Sequence, residues 1–151
     1  MHKTIISDTS CLILFDKIEE LPLLQKVYGS LVTTPQIAME FGAPLPEWIE
    51  IISVQDAKYL RFLETQVDPG EASAIALAQE LPNVLLLLDD LKARKLATKM
   101  NIKFTGSLGI LHRAKAEGHI EKIKPMINKI QDTNFRISDK IVSELLRINN
   151  E

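Results

Sequence analysis

Val84-Leu85-Leu86-Leu87-Leu88-Asp89-Asp90-Leu91-Lys92-Ala93-Arg94 is the most telling run in the chain. Five apolar residues follow one another without a polar break. The strand they predict is therefore buried on both faces, as in a parallel sheet covered by helices on each side. Two aspartates end the strand, and a helical pattern follows over Lys92–Met100. The same strand–turn–helix unit recurs in both directions. Further short apolar or β-branched runs lie at Thr4–Ser7, Ser30–Thr33, Ile49–Val54 and Ile102–Thr105. Between them the spacing predicts a helix from about Ser10, its cap, to Ile18, and another over Leu21–Tyr28. A third has Pro35 in its first turn behind a Thr34 cap, and a fourth spans residues 56–66 with Ala57, Leu60 and Leu63 on one stripe. Asp68-Pro69-Gly70-Glu71 reads as a capping box opening a helix to Glu80. Ser107–Glu117 ends at Gly118, and the tail gives helices near Lys122–Gln131 and Ser138–Ile148. Alternating strands and helices predict an α/β fold, a three-layer α/β/α sandwich around a central parallel sheet.

Length and composition narrow the classes. A chain of 151 residues predicts a single domain over 1–151. With 46% hydrophobic and 25% charged residues it is not a disordered chain. The lone Cys11 excludes an internal disulfide and a cysteine zinc site, and reads as a small core hydrophobe. No unbroken apolar run exceeds five residues, where a membrane span needs about 20. Asp8 interrupts the N-terminus before a signal-length apolar segment forms, so the expected location is cytoplasmic.

The net charge of −2 conceals a division. Residues 1–90 carry 5 basic and 14 acidic side chains, whereas residues 91–125 carry 9 basic and 2 acidic ones. Carboxylates that hold cations, beside a basic stretch that holds phosphates, would produce such a pattern. Two surfaces that merely neutralise one another would also produce it.

The placement of the acids says more. In open parallel sheets, ligands bind outside the carboxyl ends of the strands. Asp8 follows the first strand, Asp89 and Asp90 follow the fourth, and Glu71 sits in a helical first turn at the same edge. Two carboxylates about 4 Å apart repel by roughly 4 kcal/mol at an effective dielectric near 20, so such a cluster needs protons, bases or a metal. Oxygen-only donors favour Mg2+ or Mn2+. Each acid also has a plainer use: Asp8 and the Asp89-Asp90 pair as helix caps, Glu71 in its capping box. Arg94, four residues after Asp90, could pair with it. Ser10, Lys92, Arg94, Thr105 and Ser107 are candidate contacts to RNA phosphates, the last two at a helix N-terminus. His2, His112 and His119 are scattered and expected at the surface. Trp48 and the five Phe show no interleaving with basic residues, so no base-stacking platform is expected.

Ile6-Ser7-Asp8-Thr9-Ser10, Pro35-Gln36-Ile37-Ala38-Met39-Glu40, Gly70-Glu71-Ala72-Ser73-Ala74 and Leu88-Asp89-Asp90-Leu91-Lys92, with Thr105-Gly106-Ser107-Leu108-Gly109 after them, occur in the order found in PIN-domain proteins. The chain resembles the short prokaryotic branch of VapC-type toxins from about Ile5 to Leu146. The resemblance implies a metal-dependent ribonuclease, a small antitoxin partner and the homodimer frequent in that family. It also implies an acidic set of Asp8, Glu40, Glu71 and Asp90, with Asp89 as neighbour and Asp8, Glu71 and Asp90 on the metal. Glu40 enters on this ground alone, because six residues beyond Thr34 it should lie roughly 9 Å along its helix from the strand edge. Glu71 replaces a common Asp, and Leu88-Asp89-Asp90 replaces a common Thr-x-Asn/Asp, which leaves the fourth ligand open between Asp89 and Asp90. The alternatives are a PIN-like module that binds nucleic acid or a partner without cutting and, from the acid pair, Thr/Ser and Lys115, a receiver-like phosphoryl-accepting domain.

Overall fold

The computed structural model describes residues 4–151; His2 lies outside them. Five strands form one sheet: β1 (Thr4–Ser7), β2 (Leu31–Thr33), β3 (Ile49–Ile51), β4 (Val84–Leu87) and β5 (Lys103–Thr105). All pair in parallel, in the order β3-β2-β1-β4-β5. Every predicted strand is present, and the apolar run lies inside the sheet between β1 and β5, buried as expected: Leu86, Leu87 and Leu88 have no exposed surface. The order differs from the 2-1-3-4-5 sheet of receiver-type folds, which removes the receiver-like alternative.

The helices are α1 (Thr9–Lys17), α2 (Leu21–Tyr28), α3 (Pro35–Phe41), α4 (Ala57–Leu63), α5 (Pro69–Glu80), α6 (Leu91–Lys99), α7 (Ser107–Ala116), α8 (Lys124–Gln131) and α9 (Asp139–Ile148). From β1 the chain steps one way across the sheet to β2 and β3, and then the other way through β4 to β5. Right-handed crossovers in opposite directions put their helices on opposite faces, which makes the three layers. α5 packs on β1 and β4 beside α4 and α6, whereas α2 packs on β2 beside α7. The middle of α5 shows why it lies inward: Ala72, Ser73, Ala74, Ile75, Ala76 and Leu77 are all buried. Small side chains all round let the helix approach the sheet closely. In α4 only Leu63 of the expected stripe is fully buried.

Candidate active site

The chain reverses its direction of travel between β1 and β4, so the loops leaving these two strands diverge and open a crevice. Asp8 leaves β1 there, and Asp89 and Asp90 leave β4. A cavity of about 450 Å³ occupies the crevice, walled by Asp8, Thr9, Ser10, Glu40, Asp68, Glu71, Asp89, Asp90, Leu91, Phe135 and Arg136. All five candidate acids therefore share one cavity.

Asp8 is 1% exposed. Its backbone is extended (φ −78, ψ 176) as it leaves the strand, and Oδ1 accepts from the Cys11 N–H at 2.9 Å. The cap of α1 is thus Asp8, not Ser10; Ser10 lies already inside the first turn, exposed at the lip of the cavity. Asp8 Oδ2 is buried and has no hydrogen-bond partner. Burial is the main force pushing the Asp8 pKa up to about 7. The Cys11 N–H opposes it, the charges of Asp89 and Glu71 add to it, and the Asp89 N–H pulls it down slightly.

Glu71, in the first turn of α5, is also pushed to about 7, first by burial and then by Asp90 and Asp68, with Glu40 adding a smaller push. The Asp68 N–H pulls it back down, while the Asp68 side chain makes no capping bond. Only half of the expected capping box is formed, and the other acid joins the cavity wall. Hydroxyls fix the position of this turn: Ser73 donates to Gly70 O at 2.7 Å, and its oxygen lies 2.6 Å from that of Thr34, the cap of α3.

Glu40 reaches the cavity although distance along its helix predicts otherwise. α3 packs chiefly on α1 and α5, so its course crosses the mouth of the crevice. The Thr9 hydroxyl donates to Glu40 Oε1. A Cβ on Gly70 would collide with that same oxygen, so the glycine makes room for Glu40.

Asp89 and Asp90 divide their tasks. Asp89 Oδ1 accepts from the Ser107 N–H at 2.8 Å and Oδ2 from the Ser107 hydroxyl at 2.6 Å. Asp90 Oδ2 caps α6 through the Ala93 N–H at 2.9 Å. With Asp90 so turned, Arg94 pairs with Asp89 instead, at 3.9 Å. Arg94 Nε donates to Leu88 O at 2.7 Å, and its guanidinium lies over the Phe104 ring, 5.2 Å from the centroid. Ser107 is fully buried with both donors committed to Asp89, so it is a positioning residue and not a phosphate contact. Thr105 is half-buried in an adjoining groove, and Lys92 is exposed beside Glu71 and Asp90.

The basic stretch does not form one rim. Lys99 ends α6 and Lys103 begins β5, so both stand at the sheet edge opposite the crevice. Arg113 is engaged by Glu117 and Lys115 by Glu151, each at 2.8 Å. Arg136 and Phe135, from the segment before α9, line the cavity, yet nothing in their local pattern marked them. Neither His112 nor His119 lines it; Cys11 is buried with its pKa pushed well up by burial, the state of an inert thiol.

Among the described residues, no three Asp, Glu, His or Cys side chains stand close enough to hold a metal ion as they are placed. The oxygen-only donors and the unpartnered Asp8 Oδ2 nevertheless suit a hard cation held by one or two carboxylates and otherwise through water, as Mg2+ is commonly held.

The family model described as DUF3368, a PIN domain, matches residues 4–151. The chain belongs to the PIN-domain family. Its fold is accordingly of nuclease type. No curated protein and no solved structure matches this PIN domain. No helix among the described residues is long and apolar enough to cross a membrane.

Proposed function

We propose that this PIN domain hydrolyses phosphodiester bonds of RNA with a divalent cation, Mg2+ or Mn2+, as the toxin of a toxin–antitoxin pair. The supporting observation is Asp8 Oδ2, buried and unpartnered in a cavity that five other carboxylates share. An ionised oxygen in that position is costly unless a cation meets it. Of the expected ligands Asp8, Glu71 and Asp90, Asp8 and one other would hold the ion directly and the third through water, with Glu40 and Asp89 assisting. Such an ion supplies Lewis-acid polarisation of the scissile phosphate. Ser107 holds Asp89 in place and Thr9 holds Glu40, and Ser10, Lys92, Arg94 and Thr105 would contact the RNA backbone without reading bases. Uncontrolled cleavage of RNA would be harmful, which fits a small antitoxin that covers the cavity; a homodimer is the family's frequent form.

A second reading, a module that binds RNA or a partner without cutting, is favoured by the spacing of the acids, no three of which form a ready metal site. One comparison separates the two. Highly purified Asp8→Asn protein should lose Mn2+-dependent cleavage of single-stranded RNA while keeping its fold. Unchanged cleavage by that variant would eliminate the mechanism, and binding without cleavage under any divalent ion would select the module.

A further inference from the structure

Beside the acid cavity lies a second one of about 510 Å³, and the two share Asp89, Phe135 and Arg136 as a common wall. Its lining differs in kind. Phe104, Leu108, Phe135, Ile137 and Ile141 give it an apolar surface, with Arg94 and Arg136 at its sides. Ile141 is 54% exposed, a large apolar side chain left facing solvent. Gly106 is on the wall because nothing larger fits: a Cβ there would collide with Arg94 Nη2 and come within 2.6 Å of Asp89 Oδ1. Arg94 is already partly neutralised by Asp89 and fixed over Phe104. Arg136 is different: it is exposed and has no ion-pair partner among the described residues. It stands at the junction of a cavity suited to a phosphate-bound cation and a groove suited to a flat apolar ring.

We infer that this groove is a nucleoside subsite for single-stranded RNA, in which Arg136 grips the phosphate next to the scissile one and the neighbouring base lies against Phe135 and Ile141. The inference rests on the reading of the acid cavity as an RNA site and adds a base-holding surface to it. Three features favour RNA over another occupant. The unpaired Arg136 complements a phosphate backbone, the groove adjoins the acid cavity across Asp89, Phe135 and Arg136, and its volume is within the roughly 300–1,000 Å³ range of small-ligand sites. Aromatic and apolar faces beside guanidinium groups stack bases of any sequence, so the subsite confers preference for unpaired strands rather than for a motif.

The test uses Asp8→Asn protein with a fluorescein-labelled single-stranded RNA decamer in Mg2+, followed by anisotropy. Adding Arg136→Ala should weaken binding about tenfold and lower the slope of log affinity on log salt by about one, whereas Arg136→Lys should retain most of the affinity. A decamer lacking its bases should bind about tenfold more weakly than the normal one, and Ile141→Glu should erase that difference. Wild-type cleavage with both variants binding like their parent overturns the groove while leaving the nuclease reading intact. Failure of wild-type and parent alike to bind the decamer overturns both. Ile141→Glu that splits a dimer without changing RNA affinity assigns the groove to a second copy and overturns the inference.

Discussion

Replacing Asp8 by Asn should make the metal-free PIN domain more stable at alkaline pH. The amide oxygen can still accept from the Cys11 N–H, so the cap of α1 survives, while the charge disappears. In the folded chain the Asp8 pKa rises from 3.8 to about 7, burial being the chief cause. A carboxyl with its folded pKa raised binds more protons in the native than in the unfolded state between those values. Stability therefore falls as pH rises through the window, and the loss is complete above about pH 7. At about 1.4 kcal/mol per factor of ten in proton affinity, the ionised Asp8 costs on the order of 4 kcal/mol. The buried Asn amide without an acceptor takes back about 1–3 kcal/mol, and since in a domain of this size about 1 kcal/mol moves Tm by roughly 2–4 °C, Asp8→Asn should melt several degrees higher at pH 8 in EDTA.

Thermal melts of both proteins from pH 4 to pH 8 in EDTA check this, and the gap should close before pH 4 is reached. Adding Mn2+ at about 100 times its Kd should raise the wild-type protein by roughly 2.7 kcal/mol and leave Asp8→Asn almost unmoved. A gap independent of pH, together with equal Mn2+ responses, would refute the claim that Asp8 is an unpartnered charge awaiting a cation.

Other perturbations test the surrounding frame. Gly70→Ala should displace the Glu40 carboxylate, the free end of an exposed side chain, with little loss of stability in denaturant melts but a weaker Mn2+ response, because the new Cβ meets Glu40 Oε1. Ser107→Ala should cost about 1–2 kcal/mol and lower cleavage by freeing Asp89 Oδ2, read by urea unfolding and single-turnover kinetics. Glu151→Gln should lower Tm at pH 7 with the difference fading as pH falls from 4.5 to about 2. Burial raises the Glu151 pKa, but the Ile123 N–H, Lys115 and the Lys124 N–H together bring it down to about 2, so its contribution is full above 4.5 and lost below that window.

The strands were legible because each is a short apolar run, and Val84–Leu88 needs cover on both faces whatever surrounds it. Asp8, Glu71, Asp89 and Asp90 were legible for a related reason: the turn after a parallel strand and the first turn of a helix both lie at the binding edge. Glu40 was not, because its place depends on α3 lying across α1 and α5, an inter-helix angle that no local pattern encodes. Arg136 was hidden for the same reason, since its distance from the acids along the chain carries no trace of the path that returns it to them. The contact between Arg94 and Phe104 was equally hidden. Phe104 and Arg94 are ten positions apart on different elements, and they meet only because α6 packs on β5.

Helix capping and the acid site looked like competing explanations of the same aspartates, and the structure shows them to be one device. A cap uses one carboxylate oxygen and, in doing so, fixes where the other must lie. Asp8 gives Oδ1 to Cys11, which leaves Oδ2 buried within the cavity. Asp90 gives Oδ2 to Ala93 and is thereby turned from Arg94, so its charge acts on Glu71. Asp89 gives both oxygens to Ser107 and is held rigidly enough to raise the pKa of Asp8. Three helix N-termini converge on one sheet edge, and each anchors a carboxylate that would otherwise swing away from its neighbours into water. Like charge is thus kept together by backbone N–H groups, at a cost in stability that a bound cation would offset.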